Sequence, residues 1–106
     1  MGRVVIVAYR PREGKEAQLL ELVKGHVPIL RGEGLVTDRP PYVLRAEDGT
    51  IVEVFEWKSA EAIEQAHHNE IVLAMWEQFN EACEIETLAS LKECQRPFSA
   101  FEPLDL

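Results

Sequence analysis

The stretch that decides the fold is YVLRAEDGTIVEVFEW, residues 42–57. Its two arms are rich in β-branched and aromatic side chains, which is typical of β-strands. Between the arms stands Glu47-Asp48-Gly49-Thr50, and Asp-Gly supplies the positive φ angles that a tight hairpin turn requires. The stretch therefore predicts two paired strands, at residues 42–46 and 51–57.

On the N-terminal side, residues 4–9 read VVIVAY, an uninterrupted apolar run that predicts a strand buried on both faces. Apolar residues then recur at three- and four-residue spacing, which predicts a helix from about residue 15 to Gly32. Pro28 removes one helical hydrogen bond and crowds the preceding turn. We therefore expect a kink near His26.

On the C-terminal side, Ser59 is placed to cap a second helical region that runs to about residue 84. The sequence His67-His68-Asn69 is expected to divide that region into two helices. A last strand is predicted at residues 85–91. We expect the tail, residues 93–106, to pack on the domain or its partner through Phe98 and Phe101, which are too large to be left exposed without cost.

The order strand, helix, hairpin, helix, strand is that of a ferredoxin-like βαββαβ domain. We predict an α+β fold spanning residues 1–106 as one domain, with a four-stranded antiparallel sheet. Right-handed crossovers place both helices on one face of the sheet. The other face is apolar as well, and sheet-to-sheet pairing in a homodimer would remove that patch from water.

Composition narrows the function classes. The 106 residues include 19 acidic and 11 basic side chains, giving a net charge of −8, which disfavours nucleic acid and anionic membrane surfaces. No apolar run is long enough for a membrane helix, and no signal peptide is apparent, so a cytoplasmic location is expected. Cys83 and Cys94 are expected to be free thiols, and no metal-spaced cluster, phosphate loop or Ser-His-Asp order appears.

Several short motifs carry a family resemblance. They are Arg10-Pro11, Gly14-Lys15-Glu16, His26-Val27-Pro28, Glu56-Trp57-Lys58-Ser59, Glu61-Ala62 and His67. With them, residues 4–91 resemble the antibiotic biosynthesis monooxygenase (ABM-like) group of dimeric α+β barrel proteins.

This resemblance implies a sheet-to-sheet dimer. In catalytic members of the family, it also implies a pocket between sheet and helices where oxygen attacks an activated aromatic without metal or flavin. The haem-degrading branch uses an Asn on the first strand, which is absent here. Ala66 and Trp76 stand where that branch has its Trp and His, so haem degradation is rejected.

Two histidines, His67 and His68, follow the first turns of the second helical region. Because successive helical side chains are about 100° apart, at least one should point toward the sheet. A histidine base beside an acidic phenol or methylene would make the substrate electron-rich enough to reduce oxygen. We predict His67 as the catalytic base. The alternative is that one histidine is solvated and the other caps or packs against a backbone carbonyl.

Five further residues are predicted to bind substrate, namely Trp57, Tyr42, His26, Trp76 and Glu53. The tryptophans can stack on a flat molecule, and simple core packing is the alternative. His26 either faces the pocket or bonds a carbonyl freed by Pro28. Tyr42 can orient a phenolic ligand through its hydroxyl, as can Tyr9, or can merely bridge core and surface.

Glu53 places a carboxylate on an otherwise apolar strand face. Buried there without a partner, it would be a candidate base. The alternatives are an ion pair with Arg10 or Arg45, or contact with solvent at the rim of the dimer.

The leading hypothesis is a cofactor-independent monooxygenase, or a related enzyme, acting on a small hydrophobic or aromatic metabolite. The competing hypothesis is a non-catalytic dimer of the same fold that binds a ligand or a protein partner.

Overall fold

The computed structural model describes residues 1–106 and has an α+β architecture. The strands are β1 (Arg3–Pro11), β2 (Tyr42–Arg45), β3 (Ile51–Trp57), β4 (Cys83–Glu86) and β5 (Glu102–Pro103). The helices are α1 (Glu16–Gly32), α2 (Ala60–Ala66) and α3 (Glu70–Ala82). Two short 3₁₀ turns, Leu88–Ser90 and Lys92–Gln95, follow β4.

The sheet is antiparallel, with its strands in the order β4-β1-β3-β2-β5. The order of the first four strands is compatible with a ferredoxin-like fold. The prediction of four strands was wrong by one, because Glu102–Pro103 of the tail pairs with Leu44 and Arg45 at the edge of the sheet. The predicted last strand, residues 85–91, was also displaced and too long, since β4 begins at Cys83. It ends at Glu86, and the chain then turns away through the two 3₁₀ turns.

The hairpin between β2 and β3 forms at the predicted position, but of the pair Asp48-Gly49 only Gly49 has a positive φ angle. Gly49 has φ +92°, and the Thr50 amide donates to the Asp48 carboxylate at 2.9 Å. The backbone amide of Ala46 donates to the Thr50 carbonyl at 2.8 Å and closes the turn. These local bonds fix the register of β3, and so they fix which of its side chains face the helices.

The second helical region is divided where the sequence indicated. Ser59 accepts a hydrogen bond from the Ala62 amide and caps α2. The Asn69 side chain accepts from the Ile71 and Val72 amides and caps α3. His67 and His68 lie between the end of α2 and Asn69, and so form the joint between α2 and α3. By contrast, α1 is continuous through Pro28.

All three helices lie on one face of the sheet, and the main hydrophobic core lies between them and that face. A smaller cluster lies on the opposite face, where the tail covers Ala8 and Val52 with Leu91 and the partly buried Phe101. Phe98 was expected to dock on the domain or on a partner; it is 99% exposed, so it does not dock on its own domain. No helix has the length and apolar character needed to cross a membrane.

Candidate functional site

A cavity of about 400 Å³ opens between the sheet and the helices. Its walls are mainly apolar and aromatic. The lining residues are Val5, Val7, Tyr9, His26, Phe55, Trp57, His67, Trp76, Phe79, Asn80 and Ile85. This volume and lining suit a small-molecule site, which typically combines an apolar wall with a few polar groups.

Strand alternation explains which side chains form the floor of the cavity. On β1, Val5, Val7 and Tyr9 are two residues apart and therefore share the face toward the helices. On β3, Phe55 and Trp57 share the same face, together with Glu53. The roof comes from α1, α3 and the joint between α2 and α3.

Two residues that line the cavity, Tyr9 and His26, form a buried polar cluster with Glu53, which does not line it. Glu53 is 0% exposed. One of its oxygens, Oε1, accepts a hydrogen bond from the Tyr9 hydroxyl at 2.8 Å and lies 2.7 Å from His26 Nδ1. The other oxygen, Oε2, is buried without a partner in the chain. A carboxylate in this position is stabilised by the two donors that converge on it.

The contacts within the cluster bear on the proton of the Tyr9 hydroxyl and on the tautomer of His26. Burial, together with the negative charge and hydrogen bond of Glu53, raises the pKa of the Tyr9 hydroxyl far above its ordinary range. Tyr9 is therefore a hydrogen-bond donor and stays protonated. An ionised Glu53 can only accept a hydrogen bond, and beside it the neutral imidazole of His26 carries its proton on Nδ1 and leaves Nε2 as the basic nitrogen.

Aromatic rings hold the His26 imidazole in place. The Phe55 ring meets it edge-on at 5.2 Å between centroids, and the Phe79 ring lies 5.0 Å away. With Nδ1 bound to Glu53, Nε2 is the ring nitrogen left for a molecule in the cavity. A carboxylate-oriented imidazole beside an apolar cavity is a suitable general base.

His67 also lines the cavity, at its more open side. Its Nδ1 lies 2.8 Å from the Ile63 carbonyl, and its ring meets that of Trp76 edge-on at 5.2 Å. It is exposed and has no carboxylate partner. His68 points elsewhere and lies 3.3 Å from Glu64 on the helix surface.

The structure thus brings four of the predicted site residues to the cavity wall, His26, Trp57, His67 and Trp76. Glu53 lies directly behind His26. Tyr42 does not take part, because it is 70% exposed and its position opposite Val54 puts it on the other face of the sheet.

Two of the alternatives considered for these residues were wrong. Glu53 pairs with neither arginine, since Arg10 bonds Glu86 at 2.8 Å and Arg45 bonds Glu16 and Glu102. His26 bonds a carboxylate and not the carbonyl freed by Pro28.

Sequence reasoning missed the role of Tyr9 in the cluster, and it missed Phe55 and Phe79 as the rings that hold His26. The signal for Tyr9 was the alternation of Val5, Val7 and Tyr9 along β1. In the register of β1 and β3, Val7 stands opposite Glu53, so Tyr9 is its diagonal neighbour. That register could not be read without knowing how the strands pair.

No group of three His, Cys, Asp or Glu side chains is placed to hold a metal ion. The sequence matches no protein-family model, and a search of curated proteins finds no match.

Proposed function

We propose that the cavity binds a small, flat, apolar metabolite with one acidic O–H or C–H bond, and that His26 removes that proton. The proposed reaction is cofactor-independent monooxygenation of the resulting anion. The observation that supports it is the buried Glu53–His26 contact of 2.7 Å beside an aromatic cavity.

The proposed reaction balances for an activated methylene flanked by aromatic rings. His26 Nε2 takes one proton, and the carbanion transfers one electron to O₂ and combines with the superoxide formed to give a C–O bond. The imidazolium returns its proton to the peroxide. Loss of water then breaks the O–O bond and the second C–H bond, so the methylene becomes a ketone and O₂ supplies one oxygen to product and one to water.

The contacts favour His26 over His67 as the base. Glu53 both orients the His26 ring and stabilises the imidazolium that forms, as a buried carboxylate does for other catalytic histidines. His67 lacks such a partner, and its bond to a carbonyl leaves it a role at the cavity mouth. Trp57 and Trp76 are proposed to stack on the substrate ring.

The test compares three single variants, since the chain has three histidines. Oxygen consumption is measured with anthrone or a quinol as substrate. We expect His26→Gln, which keeps an amide near Glu53 but removes the basic nitrogen, to lower turnover at least 100-fold. His67→Ala should lower it less, and His68→Ala, outside the cavity, serves as the matched control. Equal turnover in His26→Gln and His68→Ala would refute the assignment.

We also propose kinship with the ABM-like group and a homodimer formed through the open sheet face. Val4 and Ile6 remain 59% and 50% exposed there beside Tyr42, because the tail covers only the other half of that face. Burying this patch against a second copy would remove it from water.

A cytosolic setting is proposed because both cysteines are free.

A further inference from the structure

The cavity has no lysine or arginine side chain to receive an anion. The polar side chains of its lining are those of Tyr9, His26, His67 and Asn80, together with the indole N–H groups of Trp57 and Trp76. The Tyr9 hydroxyl and His26 Nδ1 are already engaged with Glu53, which lies behind the wall as a buried carboxylate. A second negative charge entering alone would meet this carboxylate in a poorly hydrated site.

We infer that the cavity binds acidic molecules only together with one proton: a neutral weak acid enters uncharged and passes its own proton to His26 Nε2, and a molecule that is already anionic binds only with a proton taken up from water. This inference rests on the base role proposed for His26. The proton moves from the ligand oxygen or carbon to Nε2, so the bound state holds an imidazolium between two anions. The total charge of the site is the same before and after binding.

The groups around His26 are consistent with this exchange. Glu53 faces it from β3, Tyr9 lies beside Glu53 on β1, and the residues packed on its ring, Phe55 and Phe79, carry no charge. Cys83 of β4 is a buried thiol near Tyr9, and burial raises its pKa to about 11. Nε2 of His26 is therefore the atom of this cluster that is placed to accept a proton from a molecule in the cavity.

A molecule that is ionised in solution could still bind if the site took up one proton with it. The bound state then holds one more proton than the free anion and the free protein with neutral His26, so the Kd of such a molecule should rise about tenfold per pH unit in mildly alkaline buffer. A ligand with no acidic proton should bind with a Kd independent of pH.

Three probes of one shape separate these cases: 4-nitrophenol, 4-nitroanisole and 4-nitrobenzoate. Trp57 and Trp76 are the only tryptophans of the chain and both line the cavity, so quenching of intrinsic fluorescence measures binding. The yellow colour of nitrophenolate measures proton transfer, in a buffer more acidic than the pKa of the free phenol.

We expect the wild-type protein to bind nitrophenol and turn it yellow, and to bind nitroanisole with similar affinity. The Kd of nitrobenzoate should rise about tenfold per pH unit in mildly alkaline buffer, whereas that of nitroanisole should not change with pH. His26→Gln should bind nitrophenol without colour, and quenching of this variant by nitroanisole shows that its cavity is intact. These probes have no methylene to oxygenate, so colour without oxygen uptake on anthrone would refute the oxygenase and support this inference.

The inference is overturned if the Kd of nitrobenzoate is independent of pH, or if bound nitrophenol stays colourless in the wild-type protein. Absence of quenching by all three probes overturns it as well.

Discussion

Replacing Tyr9 by phenylalanine removes one buried hydrogen-bond donor and leaves the ring in place. The hydroxyl donates to Glu53 Oε1 at 2.8 Å, and both residues are buried. A hydrogen bond to a charged group contributes about 1.5–3 kcal/mol, and the change opens no large cavity. We therefore expect Tyr9→Phe to lower the free energy of unfolding by about 2 kcal/mol, or Tm by roughly 8–16 °C for a domain of this size.

Urea and thermal unfolding followed by circular dichroism measure this loss. The matched control is Tyr42→Phe, which removes the other tyrosine hydroxyl of the chain from a position that is exposed in the monomer. At dilutions where the chain is monomeric, it should change stability by less than about 0.5 kcal/mol. Equal stabilities of the two variants would refute the account of the Glu53 cluster.

Comparison of the wild-type protein with Tyr9→Phe at different pH values gives a second test. The pKa of Tyr9 is raised in the folded state above its value of about 10 in the unfolded chain. A group with a raised folded pKa contributes its full stability below the unfolded pKa and loses it as pH rises further. The stability gap between wild type and Tyr9→Phe should therefore be constant below about pH 10 and shrink above it. A gap that widens with alkaline pH would contradict this.

Three further predictions concern the scaffold. Asn69→Ala removes the cap of α3 and should lower the free energy of unfolding, measured in urea, by about 1 kcal/mol. An unchanged free energy of unfolding would show that the cap is redundant. Phe101→Ala should lower the free energy of unfolding by about 2 kcal/mol, because Phe101 packs on the sheet. Phe98→Ala should leave the stability of the monomer unchanged, because Phe98 is exposed. Equal losses in the two variants would contradict this placement of the tail. Ile6→Lys on the open sheet face should shift the proposed dimer to monomer in light scattering, while Leu73→Lys, an exposed site on α3, should not.

Local features of the fold were readable from the sequence because their determinants are adjacent in the chain. The Asp48-Gly49 turn, the Ser59 cap and the break at residues 67–69 each depend on neighbours within a few positions. Strand β5 was missed because Glu102–Pro103 has little strand propensity of its own and exists through its pairing with β2.

The site was harder to predict for the same reason. Glu53 could be recognised as a carboxylate on an apolar face, but His26 is 27 positions away on a helix and Tyr9 is 44 positions away on another strand. Their convergence depends on the β1–β3 register and on the rotation of α1 about its axis. Neither follows from periodicity alone.

The central claim is that Glu53 holds the proton of His26 on Nδ1 and leaves Nε2 as a base for a molecule in the cavity. Long-range ¹H–¹⁵N spectra of the imidazoles in mildly alkaline buffer test it directly, with His26→Gln assigning the signals. The account predicts the neutral Nδ1–H form for His26, and protonation of Nε2 when 4-nitrophenol is added. A His26 ring protonated on Nε2 alone, or one whose signals ignore the ligand, would contradict it.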